Sequence, residues 1–359
     1  MSAVTNPGDL HARREGAAGR ITLNRPKALN ALTLDMVHSF ATVLDDWTGD
    51  DNIRVVIIDG AGTRGLCAGG DVRALNDSGL RGDGMAETFW RDEYRLNAAI
   101  GRYPKPVVAV MDGIVMGGGV GVSAHASCRI VTEKTMIAMP EVGIGLLPDV
   151  GGTWLLSRAP GETGTYLALT GTRIGAADAI HCGLADHFVQ SDRLGDLAKA
   201  LVEADYGDDP KQEVEAIVKS FASDPGPAPL AAKAALIDAT FRHDTAEQCL
   251  ETARSSGDDW SIKVASEIEA KSPTSLKVTL AALRHARTLD CLEDCLNMEF
   301  RIISRMFHGP DFREGVRAAL IDKDQSPRWR PATLSEVSEA AVSAHFAPLG
   351  PKELGLTPA

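Results

Sequence analysis

The sequence predicts an α/β fold with a helical C-terminal extension, on three observations. Runs rich in β-branched residues alternate with amphipathic helical patterns through the first part of the chain. Strand signals fade after about residue 160, and helical periodicity then takes over. "GRITLN" (19–24) and "RVVIIDG" (54–60) read as strands ended by turn formers. Between them Met36, Phe40, Val43, Leu44 and Trp47 recur at helical spacing. "KPVVAVMDG" (105–113) and "CRIVTE" (128–133) read as two further buried strands. "DPKQEVEAIVKSFA" (209–222) sets Val214, Ile217, Val218 and Phe221 on one helical face, with Asp209 and Pro210 as cap and first turn. "SDPGPAPL" (223–230) is a Pro/Gly linker. Helices are expected near 275–288 and 291–306, and "TLSE" (333–336) reads as a capping box opening a last one. There is no repeat or low-complexity tract. The pattern divides the chain into an α/β core over 15–205 and a helical region over 206–359.

At 359 residues, 44% hydrophobic and 24% charged, the chain can bury a sizeable core. A net charge of -12 argues against a general nucleic-acid or membrane-surface binder, although an anionic ligand can still be held locally. The six cysteines (67, 128, 182, 249, 291, 295) are too scattered for a disulfide framework and include no CxxC pair. Cys291 and Cys295 stand one helical turn apart without a His cluster, so the cysteines read as buried free thiols with no metal. The first twenty residues carry Asp9 and Glu15 and lack an apolar stretch, and no apolar run approaches a membrane span. These features lead to the expectation of a cytoplasmic protein without a leader.

Two glycine turns follow strand-like runs. "CAGGD" (67–71) comes after 54–60, and "GIVMGGGVGVSAHA" (113–126) after 105–111. Glycine lets a backbone approach a ligand closely, and the first N–H groups of a helix have no internal partner. One N–H from each turn would suit an oxyanion, the recurring device of acyl chemistry. Taken singly, such glycines also serve tight turns and close packing. "GVGVSA" (119–124) matches the GxGxxA dinucleotide pattern as well, but no acid ends a clean strand about twenty residues on. Then "MPEVGIGLLPDVGG" (139–152) sets Glu141 and Asp149 among apolar residues, Gly and Pro. Ionised carboxylates are costly there unless something specific pairs with them.

Together, "ITLNRPKALNALTLDM", "CAGGD", "GGGVG" and "MPEVGIGLLPDVGG" resemble the crotonase (enoyl-CoA hydratase/isomerase) superfamily in order and separation. "RDEYRLNAAIGRYPKP", "LPDVGG" and the distant "DFREGVRAALIDKDQSPRWRP" resemble its 3-hydroxyisobutyryl-CoA hydrolase branch, which acts in valine breakdown. That match runs from about residue 15 to about 345. The resemblance implies a spiral of ββα turns and an acyl-CoA thioester substrate, with no cofactor beyond the CoA of the substrate. It also implies a possible homo-oligomer whose usual surface the helical tail could cover. By motif position Gly70 and Gly118 would donate the two oxyanion-hole N–H groups, and Glu141 and Asp149 fall on the catalytic acids. Glu93 of "RDEY" falls on a substrate contact, as do Gly118, Glu141, Asp149 and the first-turn residues Ala68 and Gly69.

Hydratases carry a second catalytic Glu three residues after the middle glycine of the second turn. Here that position is Gly121, which cannot transfer a proton, whereas Asp149 stands where hydratases usually have Gly. Water addition across a double bond needs an acid and a base, so thioester hydrolysis is the expected activity and hydratase/isomerase the alternative. Glu141 would act at the thioester carbon as nucleophile or as base for a water. Asp149 would hold the water, orient the 3-hydroxyl or share a proton. A CoA-binding protein without activity would keep the glycine turns but need not keep both acids. Glu93 has a structural alternative in ion pairing with Arg91 and Arg95, and Asp71 in fixing its own turn. His125 is expected to pack within the small-residue helix, and Arg25, Lys27 and Arg73 are candidates for the CoA phosphates.

Overall fold

A computed structural model describes residues 8–358; Met1–Pro7, over which part of the leader expectation was read, and Ala359 lie outside the described residues. In chain order the elements are β1 (Leu10–Glu15), β2 (Ala18–Leu23), α1 (Leu34–Thr48), β3 (Val55–Gly60), β4 (Gly65–Cys67), α2 (Val72–Arg81) and α3 (Met85–Gly101). There follow β5 (Val107–Met111), β6 (Ile114–Met116), α4 (Gly118–Gly121), β7 (Cys128–Val131), β8 (Met136–Ala138), α5 (Gly152–Ser157), α6 (Thr163–Thr170), α7 (Ala176–His181) and β9 (His187–Phe188). The rest is helical: α8 (Leu194–Glu203), α9 (Pro210–Phe221), α10 (Ala234–Phe241), α11 (Ala246–Ser255), α12 (Asp259–Glu269), α13 (Pro273–Ala286), α14 (Leu292–Met306), α15 (Pro310–Val316) and α16 (Glu339–Phe346). The chain forms two compact units that interleave in sequence rather than dividing at one point. The first takes the residues up to Gly70, Arg95–Ile137 and Ile174–Ala228; the second takes Asp71–Tyr94, Ala138–Arg173 and the chain from Pro229 onward.

In the first unit a six-stranded sheet has the order β1-β2-β3-β5-β7-β9, antiparallel between β1 and β2 and parallel thereafter. Parallel strands are covered on both faces, which is why β3 and β5 read as near-continuous apolar runs. Ala18, Val55, Ile57, Val108 and Ile130 form a core with Leu197 and Leu201 of α8 and with Val214 and Val218 of α9. α1 is capped by Thr33, whose hydroxyl accepts from the Met36 N–H at 3.2 Å. A Cβ on Gly19 would stand 2.5 Å from the Trp47 ring, so β2 can meet α1 only as glycine. Because Gly19 and Ala18 point to opposite faces of the strand, α1 and the α8/α9 pair cover opposite sides of the sheet.

A second sheet has the order β4-β6-β8, three residues to each strand. Along the chain each strand leads into one of the motifs: "CAGGD", "GGGVG" and "MPE". Three residues carry no readable alternation, so sequence periodicity passes over this sheet. Buried Asn30 supports its first strand, donating through Nδ2 to the carbonyls of Ala61 and Gly65 at 3.0 Å each and accepting from the Arg25 N–H at 2.9 Å.

The expected strands and helices are present with ends shifted by a residue or two, as helix and strand ends commonly are. Two expectations change. The Thr333 capping box is present, but it closes only the short turn Leu334–Glu336, and the last helix starts at Glu339 under a separate cap from Ser338. The small-residue helix is a single turn, Gly118–Gly121, so His125 follows it instead of packing within it. That also removes the long helix a GxGxxA dinucleotide site would need. Among the described residues no helix is long and apolar enough to cross a membrane. None of the six cysteines is in a disulfide; five are buried and Cys291 is half-buried, a departure from the expectation for that residue.

Candidate active site

The glycine turns belong to the first unit. β4 and β6 run parallel, with Gly65 opposite Ile114 and Cys67 opposite Val115, so the turns that follow leave the same end of adjacent strands. A Cβ on Gly119 would lie 2.2 Å from the Cys67 carbonyl oxygen, and one on Gly69 3.7 Å from the Gly118 nitrogen. The turns are therefore packed backbone to backbone, as two donors for one oxygen require. Gly69 has φ +114 and Gly117 φ +50, conformations that favour glycine. Around the first turn Ala68 donates to Leu29 and the Gly69 carbonyl accepts from Leu32, while the Gly70 N–H takes no part in that ladder. Gly118 is the first residue of α4, where an N–H has no intrahelical acceptor.

The acids belong to the second unit. Glu141 opens a short 3-10 turn, Glu141–Ile144, and Asp149 lies just before α5. Four carboxyls linked through the charge of Asp149 are almost closed to water: Glu93 is 2% exposed, Glu141 7%, Asp149 5% and Glu299 0%. Burial lifts the Glu141 carboxyl well above its ordinary range, and the charge of Asp149 adds to the effect. Burial pushes Asp149 up to about 6, opposed by the Tyr94 O–H, which donates to its Oδ2 at 2.6 Å. Such a pair holds one proton between its members near neutrality, free to sit on either acid. Glu141 Oε2 and Glu93 Oε1 are buried without a hydrogen-bond partner. Burial and the Asp149 charge also raise Glu93. Arg91 is not its partner, since that guanidinium donates to the carbonyls of Lys352 and Glu353. Residues two apart point away from each other on a helix.

Sequence reasoning missed Glu299 and overlooked Tyr94 beside Glu93. Glu299 accepts from the N–H groups of Gly151 and Thr153 at 2.7 and 2.9 Å and from the Thr153 hydroxyl at 2.5 Å. Burial outweighs those donors and pushes it up to about 8. It thereby fixes the segment after Asp149, where Val150 adopts φ +54. A β-branched residue in that region is strained by about 1–3 kcal/mol. The overlooked signal was the helical stripe: Cys295, Leu296, Glu299, Ile302, Ile303 and Met306 share one buried face of α14, with an acid at its centre.

The distant "DFREGVRAAL" segment acts on the Glu141 turn directly. Cβ atoms on Gly145 and Gly315 would meet the Asp311 carbonyl carbon at 2.3 Å and the Ile144 Cα at 2.5 Å. Asp311 itself accepts from the Ser272 hydroxyl at 2.6 Å and the Arg330 N–H at 2.8 Å. Of the expected phosphate-binding cations, Arg25 pairs with Asp9 at 3.2 Å and donates to the Ala31 carbonyl, and Arg73 donates to the Leu320 carbonyl. Lys27 stands exposed on the short turn Pro26–Ala28. Asp71 caps α2 by accepting from the Ala74 N–H, in line with a turn-fixing role.

Comparison with known proteins follows the same lines. A curated relative named "3-hydroxyisobutyryl-CoA hydrolase, mitochondrial" from Xenopus laevis is 45% identical, covering 96% of this chain and 90% of its own. A solved structure titled as a carnitinyl-CoA dehydratase from Mycobacterium thermoresistibile superimposes with a TM-score of 0.91 at 47% identity, covering 96% of this chain and 98% of that one. Another, titled as an enoyl-CoA hydratase from Rhodobacter sphaeroides, gives 0.88 at 40% identity, covering 97% and 100%. The curated relatives are named as mitochondrial proteins, which overturns the cytoplasmic expectation. That expectation rested on composition, cysteine spacing and the lack of an apolar stretch, which do not distinguish one compartment from another. The fold expected from the motifs is shared with these structures, and the match to enoyl-CoA hydratase/isomerase proteins runs over residues 18–346, from β2 to the end of α16, so the chain belongs to that family, its long helical tail included.

Proposed function

We propose that this protein hydrolyses a short-chain 3-hydroxyacyl-CoA thioester, 3-hydroxyisobutyryl-CoA foremost, releasing the hydroxy acid and free CoA in valine breakdown. The observation that carries this reading is the buried pair of Glu141 and Asp149, with the Tyr94 O–H on Asp149. At the same time Gly121 stands where a hydratase needs its second acid. The names of the curated relatives support it. The two solved structures titled as a dehydratase and a hydratase favour water addition as the second reading.

In the proposed reaction the N–H groups of Gly70 and Gly118 receive the thioester oxygen as it gains charge. Glu141 acts at the carbonyl carbon, either attacking it to form an anhydride that water later opens, or taking a proton from the attacking water. The C–S bond breaks, and the proton held by the Glu141/Asp149 pair goes to the departing sulfur. One proton of the water returns the pair to its starting state, and the other leaves with the hydroxy acid, which ionises in solvent. Glu93, Ala68 and Gly69 are proposed to line the acyl group, with Glu93 or Asp149 accepting from the 3-hydroxyl. CoA enters as part of the substrate, and the reaction needs no separate cofactor.

Thiol release over a small panel tests this. 3-Hydroxyisobutyryl-CoA should be hydrolysed and crotonyl-CoA should be hydrated poorly. Isobutyryl-CoA, which lacks only the hydroxyl, should be slower by up to about 10⁴-fold, because it leaves a buried acceptor unpaired. Hydration of crotonyl-CoA at a rate comparable with thiol release would overturn the assignment.

A further inference from the structure

The sheet of the first unit gathers a second set of reactive side chains that the proposed hydrolysis does not use. Cys128 opens β7, His187 opens β9 and Glu215 lies in α9. β7 and β9 pair in parallel with Ile130 opposite His187, so Cys128, two residues before Ile130, shares a sheet face with His187. α9 lies over that face, since its Val214 and Val218 join Cys128 and Ile130 in one core. The Cys128 sulfur, a His187 ring nitrogen and a Glu215 carboxylate oxygen all lie within 4.8 Å of one another. His187 Nε2 and Glu215 Oε2 are 3.2 Å apart. A cavity of about 390 Å³ opens beside Cys128 and Glu215, lined also by Ser127, Asp209, Lys211 and Gln212.

We propose that Cys128, His187 and Glu215 bind a divalent transition-metal ion of the zinc class. Thiolate, imidazole and carboxylate are the three ligand types zinc takes, at about 2.0–2.3 Å from the metal. Donors around one tetrahedral ion stand about 3.3–3.8 Å apart, so this set needs to close by only about 1 Å. The soft sulfur selects against magnesium and calcium. Three protein donors leave a fourth position for water from the cavity. Burial pushes the Cys128 thiol up to about 12, so it is protonated until an ion displaces the proton to solvent. Glu215 also meets Lys219 at 3.1 Å, but that partner is 64% exposed and one helical turn away, a weak surface pair that can swing aside. An ion here would tie β7, β9 and α9 together. The sequence expectation of no metal rested on chain spacing, and these ligands meet only through sheet and helix packing.

Cobalt(II) titrated into the full-length protein is the direct test. One equivalent should give a near-ultraviolet thiolate-to-cobalt charge-transfer band, and zinc should abolish it by displacement. Cys128→Ser should remove the band. Glu215→Gln, a half-exposed change that spares the fold, should keep it but weaken binding by at least about 10–100-fold, as should His187→Gln. Zinc should raise the melting temperature of the wild type and not of Cys128→Ser. Absence of the band at any cobalt concentration would overturn the proposal. So would a band that survives in Cys128→Ser, or unchanged affinity in Glu215→Gln.

Discussion

Gly119 has no room for a side chain, because the Cys67 carbonyl stands where its Cβ would be, whereas Glu141, Asp149 and Glu299 are full-sized acids shut away from water. The glycine turns are made of backbone, from two short strands that pair with each other. The acid cluster is made of side chains delivered by α3, the 139–152 segment and α14, with α15 behind it. The first depends on what is missing, a Cβ, and should be indifferent to pH. The second depends on desolvated charge, and pH is its main control.

The largest effect should come from the acids. Glu141→Gln removes the group proposed to act at the carbon, and thiol release should fall by about 10²–10⁴-fold with the fold intact. Near-native turnover in a folded variant would leave the acid cluster without a chemical role. Next comes the backbone side. Gly119→Ala forces the second turn away from Cys67, moving the Gly118 N–H, and should cost about 10²–10³ in kcat. Its pH–rate profile should keep the wild-type shape, while Asp149→Asn should lose the limb near pH 6, where the Glu141/Asp149 pair gives up its first proton as pH rises. A changed profile in Gly119→Ala and an unchanged one in Asp149→Asn would invert the comparison.

A third test reads stability. The ordinary value for Glu299 is 4.5 and its folded value is about 8, so between those pH values the folded state holds a proton that the unfolded state has released. Stability from this group is therefore complete below about pH 4.5 and lost as pH rises toward 8. The wild-type melting temperature should fall across that window more steeply than that of Glu299→Gln; equal slopes would show that Glu299 does not titrate there. Smallest is Gly315→Ala, whose added Cβ would meet the Ile144 backbone at 2.5 Å. It should destabilise the protein by about 1–3 kcal/mol in denaturant unfolding, with a secondary loss of activity from the displaced Glu141 turn.

The parts legible in the sequence are those with local signatures. β3 and β5 announce themselves by apolar runs and α1 by its stripe, and the glycine turns and Glu141/Asp149 by the order of their motifs. The second sheet escapes because three-residue strands have no period. Glu299 escapes because its partners, Gly151 and Thr153, lie far up the chain, although an acid centred on an apolar stripe is itself a readable anomaly. Arg25, Lys27 and Arg73 stand out as candidates for the CoA phosphates because charge is visible in a sequence, while the carbonyls to which Arg25 and Arg73 donate are not.

The close backing of α15 against the Glu141 turn has a consequence for how the molecule is made. Gly145 and Ile144 are in place on the emerging chain long before Asp311 and Gly315 exist to hold them. The first unit contains no residue beyond 228, whereas the second takes in the chain from Pro229 onward and has to wait for it. Its long-range closures make it the slower of the two to form. Catalytic competence should accordingly be among the last properties the growing protein acquires, arriving only once the "DFREG" helix has left the ribosome.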